Sequence, residues 1–176
     1  MGLIIGIALP SFGRYFLPPT KTNSTAGTQI TNLQTATTLD AGATYTDYAT
    51  TPPTSGPSYA QGVAWGAHDT QQPDEAVVRN LSEGGIIVDY NLTDQTEIGD
   101  LMAAVQDLAG YPACYVVQPY SAIGPGQIVF TAWGWTQTFT SVDTNGMNAF
   151  ADAHRANDAP FYVDANCGYQ VPASGS

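Results

Sequence analysis

Few residues of this sequence have the type and spacing needed for acid–base chemistry. His68 and Asp69 are adjacent, so the aspartate could orient the histidine as a general base for one of the many serines or threonines. A loop histidine next to an acid is the simpler interpretation. Glu83 and Asp89 lie six residues apart, which would place two carboxylates on one face of a strand, as a glycoside hydrolase requires. Nothing around them indicates a sugar site, so we expect no enzymatic activity.

Two further residue pairs have chemical interpretations. Trp133 and Trp135 could stack on a carbohydrate, although packing in the core is the favoured interpretation. Cys114 and Cys167 have neither CxxC nor Cys/His spacing, which argues against a zinc site. In an acidic, threonine-rich chain they predict one disulfide formed in an oxidising compartment, with two buried free thiols as the alternative.

The composition excludes several classes of function. The chain has 176 residues and a net charge of −11, with only 4 lysines and arginines, so binding to nucleic acid or to an anionic membrane is not expected. Charged residues make up 11% of the chain, well below the usual share of about 25%. We expect glycans or neighbouring copies of the chain to cover a surface with so few charges. Three sequons predict glycosylation sites at Asn23, Asn80 and Asn91.

The apolar N-terminal segment is the most unusual part of the sequence. Residues 3–9 form the longest apolar run, far too short to span a membrane, and no basic residue precedes it as in a signal peptide. We therefore expect a mature extracellular chain. The segment predicts a strand that is apolar on both faces, formed by Gly2, Leu3, Ile4, Ile5, Ile7 and Leu9.

The elements that position these residues are predicted to form an α+β fold: a small mixed sheet with two packed helices in the order β-α-β-β-α, plus an extended, β-rich N-terminal arm. We expect the arm to comprise residues 1–44 and a single domain to comprise residues 45–176. The predicted strands are Gly85–Tyr90, Cys114–Val117 and a long strand Ile128–Phe139 that bends near Gly134, with Trp133 and Trp135 on one face. The predicted helices span residues 95–109 and 144–156, capped by Asp94 and Asp143.

Several segments, in order, resemble the family called domain of unknown function 3105. Typical members read Pro-Pro-Thr-Ser-Gly-Pro-His-Tyr and Val-His-Asn-Leu-Glu-His-Gly-Gly. The matching segments here are residues 51–59, Trp65, residues 73–75, 78–88, 131–134 and 150–155, with a weaker match at residues 9–14. The resemblance covers nearly the whole chain, with an insertion around residues 21–39.

The departures from the family pattern concern histidines. Ser58, Arg79 and Glu83 occupy positions where the family has histidine, and the opening histidine falls at Tyr15 or Phe16. The resemblance implies that relatives hold a transition metal and that this chain has lost the ligands. If a metal is retained, it would be a hard cation such as Ca²⁺, with Glu83, Asp69 and Asp74 as the nearest candidate ligands. We expect no cofactor otherwise.

Three hypotheses about function follow. The first is a secreted structural protein, a subunit of an extracellular filament or surface assembly whose partners are copies of itself. In that case Pro10 and Gly13 act as a hinge, and the N-terminal strand completes a neighbour's sheet; the alternative is that it is the first core strand of its own domain. The other hypotheses are a cell-surface metal-binding or redox protein, and an extracellular carbohydrate-binding module or hydrolase.

Overall fold

A computed structural model describes residues 26–157 and 159–168. These residues form three helices and six strands, which confirms the α+β class predicted from the sequence. In chain order the elements are β1 (Thr28–Gln29), β2 (Gly66–Ala67), α1 (Asp74–Ser82), β3 (Ile86–Tyr90), α2 (Gln95–Gln106), β4 (Tyr115–Pro119), β5 (Ile128–Ala132), β6 (Trp135–Phe139) and α3 (Thr144–His154).

The six strands form one mixed sheet in the order β1-β6-β5-β3-β4-β2. Strands β3 and β4 are parallel and are connected through α2, and β2 adds a parallel strand at the far edge. Strands β5, β6 and β1 continue the sheet in antiparallel pairs. Each strand buries both faces except β6, which is half exposed, and the two-residue edge strands β1 and β2.

Helices cover both faces of the sheet. Helices α2 and α3 cover one face, where Phe130 of β5 meets Phe139 and Phe150 edge-to-face at 5.4 and 6.0 Å. Helix α1 covers the other face, packing Val78 and Leu81 against Ile87. Because side chains alternate along a strand, each central strand contributes to both cores.

The two predicted helices are present, with their predicted caps. Asp94 accepts hydrogen bonds from the backbone N–H groups of Thr96 and Glu97 at 2.8 and 3.1 Å, so α2 begins where the sequence predicted. Asp143 caps α3 in the same way, through Gly146 at 3.0 Å. Both helices end two or three residues earlier than expected.

Helix α1 is a third helix that the sequence did not predict. Its buried side includes the polar residues Glu75, Asn80 and Ser82, which interrupt the apolar pattern of an amphipathic helix. The backbone of neighbouring segments bonds two of these side chains. Tyr45 donates its N–H to Glu75, and Val63 bonds both ends of the Asn80 amide.

The predicted long strand is two strands joined by a hairpin turn. Gly134 adopts a φ of +76°, so the chain reverses after Ala132 instead of bending, and β6 returns beside β5. The two tryptophans do not share a face. Trp133 packs against the core under α1, whereas Trp135 lies in the core under α3 and stacks on His154 with 4.5 Å between ring centroids.

The described part of the N-terminal arm, residues 26–44, lies against the domain. Strand β1 pairs with β6, and Thr38 forms a parallel bridge with Ser58. The predicted strand at Gly2–Leu9 lies outside the described residues. At the other end of the chain, a disulfide joins Cys114 and Cys167, with the two Cα atoms 5.2 Å apart, and so fastens the C-terminal segment beside β4. In the part of the chain that the structure describes, no helix has the length and apolarity needed to cross a membrane.

Candidate functional site

Among the described residues, only part of the outer side of β6 is paired with another strand. β1 pairs with only two of the five residues of β6, Trp135 and Thr136. Ile30 donates its N–H to the carbonyl oxygen of Gly134 at 2.8 Å. In an antiparallel strand, the backbone N–H and C=O groups of every second residue point to the same side. Those of Thr136 and Thr138 therefore point outward, away from β5. No described strand pairs with β6 beyond Thr136, and the Thr138 side chain is exposed. The edge can therefore accept a further strand at Thr138.

Two further features lie close to β6. The side-chain oxygen of Gln137 is buried, and no hydrogen-bond donor among the described residues reaches it. A groove of about 330 Å³ begins just beyond the last residue of β6, and its lining combines apolar side chains with polar and acidic ones: Leu92, Ile128 and Val142, and Glu97, Asp100, Thr140 and Ser141. The groove therefore offers a mixed polar and apolar surface next to the end of β6.

The arm enters the domain beside this same edge. Gly27 adopts a φ of +85°, and a Cβ atom built on it would lie 2.8 Å from a ring carbon of Phe150 and 2.9 Å from the carbonyl oxygen of Thr136. The position therefore requires glycine for both its conformation and its close approach. The adjacent Ala26 carbonyl accepts a hydrogen bond from Nε2 of His154 at 2.7 Å. Ala26, the first described residue, thus lies next to β6 and the last turn of α3.

A second cluster of polar groups lies on the α1 face, where β3 and β4 end. Asp89 and Gln118 are paired across these strands, and Nε2 of Gln118 donates a hydrogen bond to Asp89 at 2.8 Å. Both side chains are buried. Burial raises the pKa of Asp89 to about 8; the Gln118 hydrogen bond opposes this shift, and the negative charge of Asp74 adds to it. Asp89 is therefore protonated at neutral pH.

The first turn of α1 brings two more carboxylates to this region. The Tyr120 hydroxyl donates to Asp74 at 2.9 Å, and the Tyr45 N–H donates to Glu75 at 2.7 Å. Burial raises the pKa of Asp74, partly offset by its hydrogen bond from Tyr120. The pKa of Tyr48 is also raised, first by burial and then by the charges of Glu75 and Asp74.

The three candidate metal ligands are not arranged as a metal site. Glu83 forms an ion pair with Arg79 at 2.8 Å, Asp74 bonds Tyr120, and Asp69 lies on an exposed loop. Among the described residues, no group of three or more histidines, cysteines, aspartates or glutamates is close enough to hold a metal ion. Calcium binding by these three side chains has no geometric support.

The two acid–base pairs considered from the sequence are placed differently. Nε2 of His68 lies 2.8 Å from the carbonyl oxygen of Ala64, in an exposed loop. Glu83 and Asp89 do not share a strand face, because Glu83 caps α1 and only Asp89 belongs to β3. Asp89 is also enclosed in the core.

The predicted glycosylation sites differ in accessibility. The Asn80 side chain is 1% exposed, and Val63 bonds both of its polar atoms, which leaves no room for a glycan there in the folded protein. Asn91 is half-buried and donates to the carbonyl of Ile123 at 2.7 Å. Asn23 lies outside the described residues.

The positions singled out by the family resemblance lie around α1. Arg79 and Glu83 form the ion pair on its last turn, and Arg79 also lies over the ring of Phe161. Ser58 is buried, and its hydroxyl has no hydrogen-bond partner among the described residues. Tyr15 and Phe16 lie outside them.

Sequence comparison supports the resemblance. Residues 41–168 match the family described as protein of unknown function (DUF3105). Neither the curated proteins nor the solved structures include a significant match. The matched region contains α1, the buried carboxylates and both cysteines, and it begins after β1. Because this match covers more than two thirds of the chain, the chain belongs to the DUF3105 family.

Proposed function

We propose that this protein is a subunit of an extracellular homopolymer, in which the apolar segment Gly2–Leu9 of one copy adds a strand to the β6 edge of the next. The observation that supports this proposal is that no described strand pairs with the outward-facing backbone of Thr138. Unpaired strand edges are the usual templates for strand addition, because main-chain hydrogen bonds supply affinity that does not depend on which side chains the added strand carries.

The geometry of the arm is compatible with exchange between copies. Leu9 precedes Ala26 by 17 residues, which can extend over roughly 55 Å. A domain of this size has a radius of gyration of about 15 Å. The connection between Leu9 and Ala26 is therefore long enough for the segment Gly2–Leu9 to reach a neighbouring domain. Because donor segment and acceptor edge are different surfaces, each added copy leaves one of each free, and the contact propagates into a fibre.

Composition and covalent structure also favour an assembled extracellular protein. Only 19 of 176 residues are charged, so few charged groups must be desolvated when subunits pack, although the net charge of −11 acts against association. The Cys114–Cys167 disulfide is typical of proteins that fold in an oxidising compartment. Burying the apolar side chains of Gly2–Leu9 would contribute on the order of 10 kcal/mol gross, at about 25 cal/mol per Å².

Negative-stain microscopy of four chains tests the proposal. We expect filaments from the full chain, and folded monomers from a chain lacking residues 2–9. Thr138→Pro removes one outward-facing N–H from β6 and should also abolish filaments, whereas Thr138→Val keeps that donor and should assemble normally. Circular dichroism verifies that each variant is folded.

Two results would overturn the proposal. One is filament formation by the chain that lacks residues 2–9. The other is a full-length chain that stays monomeric at high concentration, which would mean that the segment completes its own domain.

A further inference from the structure

The C-terminal strap, residues 159–168, crosses the end of the domain where α1 stops and where β3 and β4 begin. The Phe161 N–H donates to the carbonyl oxygen of Ser82 at 2.7 Å, which satisfies a carbonyl of the last turn of α1. The guanidinium carbon of Arg79 lies 4.7 Å from the centroid of the Phe161 ring. The strap therefore covers the last turn of α1.

Two hydrogen bonds near the end of α3 also attach the strap. The Ala156 N–H donates to the carbonyl oxygen of Gly84 at 2.8 Å, just before the strap begins. The Arg155 guanidinium donates to the carbonyl oxygen of Ala165 at 3.0 Å, in an exposed position. Apart from its covalent bond to the domain, the strap is therefore attached mainly through hydrogen bonds to backbone carbonyls and through the Phe161 ring.

Few of the strap's own side chains are buried. Among residues 159–168 only Cys167 is fully enclosed, whereas Tyr162 and Val163 are 48% and 60% exposed. A segment with so little buried apolar surface opens locally at low free energy unless a covalent bond restrains it. The disulfide between Cys114 and Cys167 is that restraint.

The backbone adopts an unfavourable conformation at three points around the strap. Cys114, Ala156 and Cys167 have φ values of +68°, +53° and +51°, and in the part of the chain that the structure describes no other non-glycine residue has a positive φ. A side chain disfavours this left-handed conformation, because its Cβ atom comes too close to the following carbonyl oxygen. Such residues persist only where the surrounding structure holds them, and they cluster at switch regions. Opening the disulfide lets both cysteines leave this conformation, which favours release of the strap.

We propose that the strap is a redox-controlled latch: a dithiol reductant opens the Cys114–Cys167 bond and releases residues 159–168, while the rest of the domain stays folded. A thiolate of the reductant attacks one cysteine sulfur and displaces the other cysteine; the second thiol of the reductant then displaces the first cysteine. The two cysteines gain two electrons and two protons and become thiols, and the dithiol leaves as its own disulfide. Because both cysteines are buried, the attack follows local opening of the strap.

Release changes one end of the domain and leaves its centre intact. The Ser82 carbonyl and the Arg79 guanidinium lose their contacts with Phe161, which exposes the last turn of α1. Strands β3, β4 and β5 keep their hydrogen bonds, because they pair with one another and not with the strap. This inference does not depend on the polymer proposal.

Hydrogen exchange of the full chain, with and without dithiothreitol, tests the inference. Iodoacetamide labelling followed by mass spectrometry counts the free thiols in each sample. Once both thiols are free, the Phe161 amide should exchange at least about tenfold faster, because the left-handed cysteines no longer have to be held, whereas the amides of β5 should keep their protection. The variant with both Cys114→Ala and Cys167→Ala should show the same pattern without reductant.

The rate of reduction without denaturant gives a second measurement, which a disulfide in a rigid part of the fold would not change. Phe161→Ala removes the ring beside Arg79, so the strap should open more often and its disulfide should be reduced about tenfold faster. Val163→Ala is the matched control. Val163 belongs to the same strap but is 60% exposed, so its truncation should leave the parental rate unchanged.

Four results would overturn the inference. The first is a parent disulfide that dithiothreitol does not reduce in the absence of denaturant. The second is a Phe161 amide that stays protected after both thiols are free, and the third is a loss of protection in β5 together with the strap. The fourth is an equal rate of reduction in Phe161→Ala and Val163→Ala.

Discussion

Nε2 of His154 lies 2.7 Å from the carbonyl oxygen of Ala26, joining residues 128 positions apart. The imidazole ring stacks on Trp135 and also contacts Phe150, so its orientation is fixed by both β6 and α3. Because a carbonyl oxygen can only accept, the histidine is the donor. The last turn of α3 therefore holds the described start of the arm beside β6.

Attachment of the arm should depend on Gly27. In Gly27→Ala, the added Cβ would approach Phe150 and Thr136 to less than 3.0 Å at a φ that disfavours side chains, so we expect β1 to separate from β6. Hydrogen exchange provides the measurement: the Ile30 amide, which donates to Gly134, should lose protection while amides of β3 keep theirs.

A matched glycine provides the control for this experiment. Gly42 has nearly the same φ, +81°, but a Cβ atom there would meet nothing within 4 Å. Gly42→Ala should therefore carry only the conformational cost and leave the Ile30 amide protected. Equal loss of protection in both variants would contradict a role for close packing at Gly27.

The disulfide should stabilise the domain substantially. It closes a loop between residues separated by 53 positions, which in the chain-entropy model corresponds to roughly 4 kcal/mol. Replacing both cysteines by alanine should lower the free energy of unfolding in urea by up to that amount. Reductant should destabilise the parent and have no effect on the double variant. A parent insensitive to reductant under unfolding conditions would argue against the bond.

The helices show which parts of the fold the sequence could predict. Helix α2 was predictable because its apolar residues recur at helical spacing and Asp94 supplies a local cap. Helix α1 was not, because its buried polar residues are satisfied by partners distant in sequence. Nothing near Asn80 indicates that Val63, 17 positions away, bonds both ends of its side chain.

The same limitation applies to the strands and to a cleft of about 390 Å³ that opens beside the first turn of α1. Trp133 and Gly134 look like the interior of a strand, and only the positive φ of the glycine makes them a turn. The cleft unites Tyr45 and Tyr48 with Asp74 and Glu75, which are about thirty residues apart. Two adjacent acids in a chain with few charges were a weak signal, and only the fold places tyrosines beside them.

Glycan occupancy should follow accessibility. Asn80 is enclosed and doubly bonded, so glycopeptide mass spectrometry of protein from its native cells should find it unmodified. Asn23, in the polar arm, remains the predicted primary site, with Asn91 second. A glycan on Asn80 would contradict the packing of α1 against Val63, whereas an unmodified Asn23 would count against an exported glycoprotein.

Stability should fall as pH rises through the neutral range, because of Asp89. Its pKa is about 8 in the folded protein and near 3.9 when unfolded, so the native state binds a proton that the unfolded state has released. The stabilising contribution is complete below about pH 4 and is lost progressively up to pH 8. Each unit of pKa shift corresponds to about 1.4 kcal/mol, so we expect a loss of a few kcal/mol between pH 5 and pH 8.

Urea unfolding at a series of pH values measures this dependence. Asp89→Asn cannot ionise but retains an acceptor for Gln118, so it should unfold with a much smaller slope between pH 5 and pH 8. Asp94→Asn is the matched control: Asp94 is exposed, and its helix-cap hydrogen bonds lower its pKa, so its contribution changes only in acid. That variant should keep the parent slope. If Asp89→Asn also keeps the parent slope, Asp89 is not the group whose titration causes the pH dependence. Another group of the polar cluster at the ends of β3 and β4 then carries the proton.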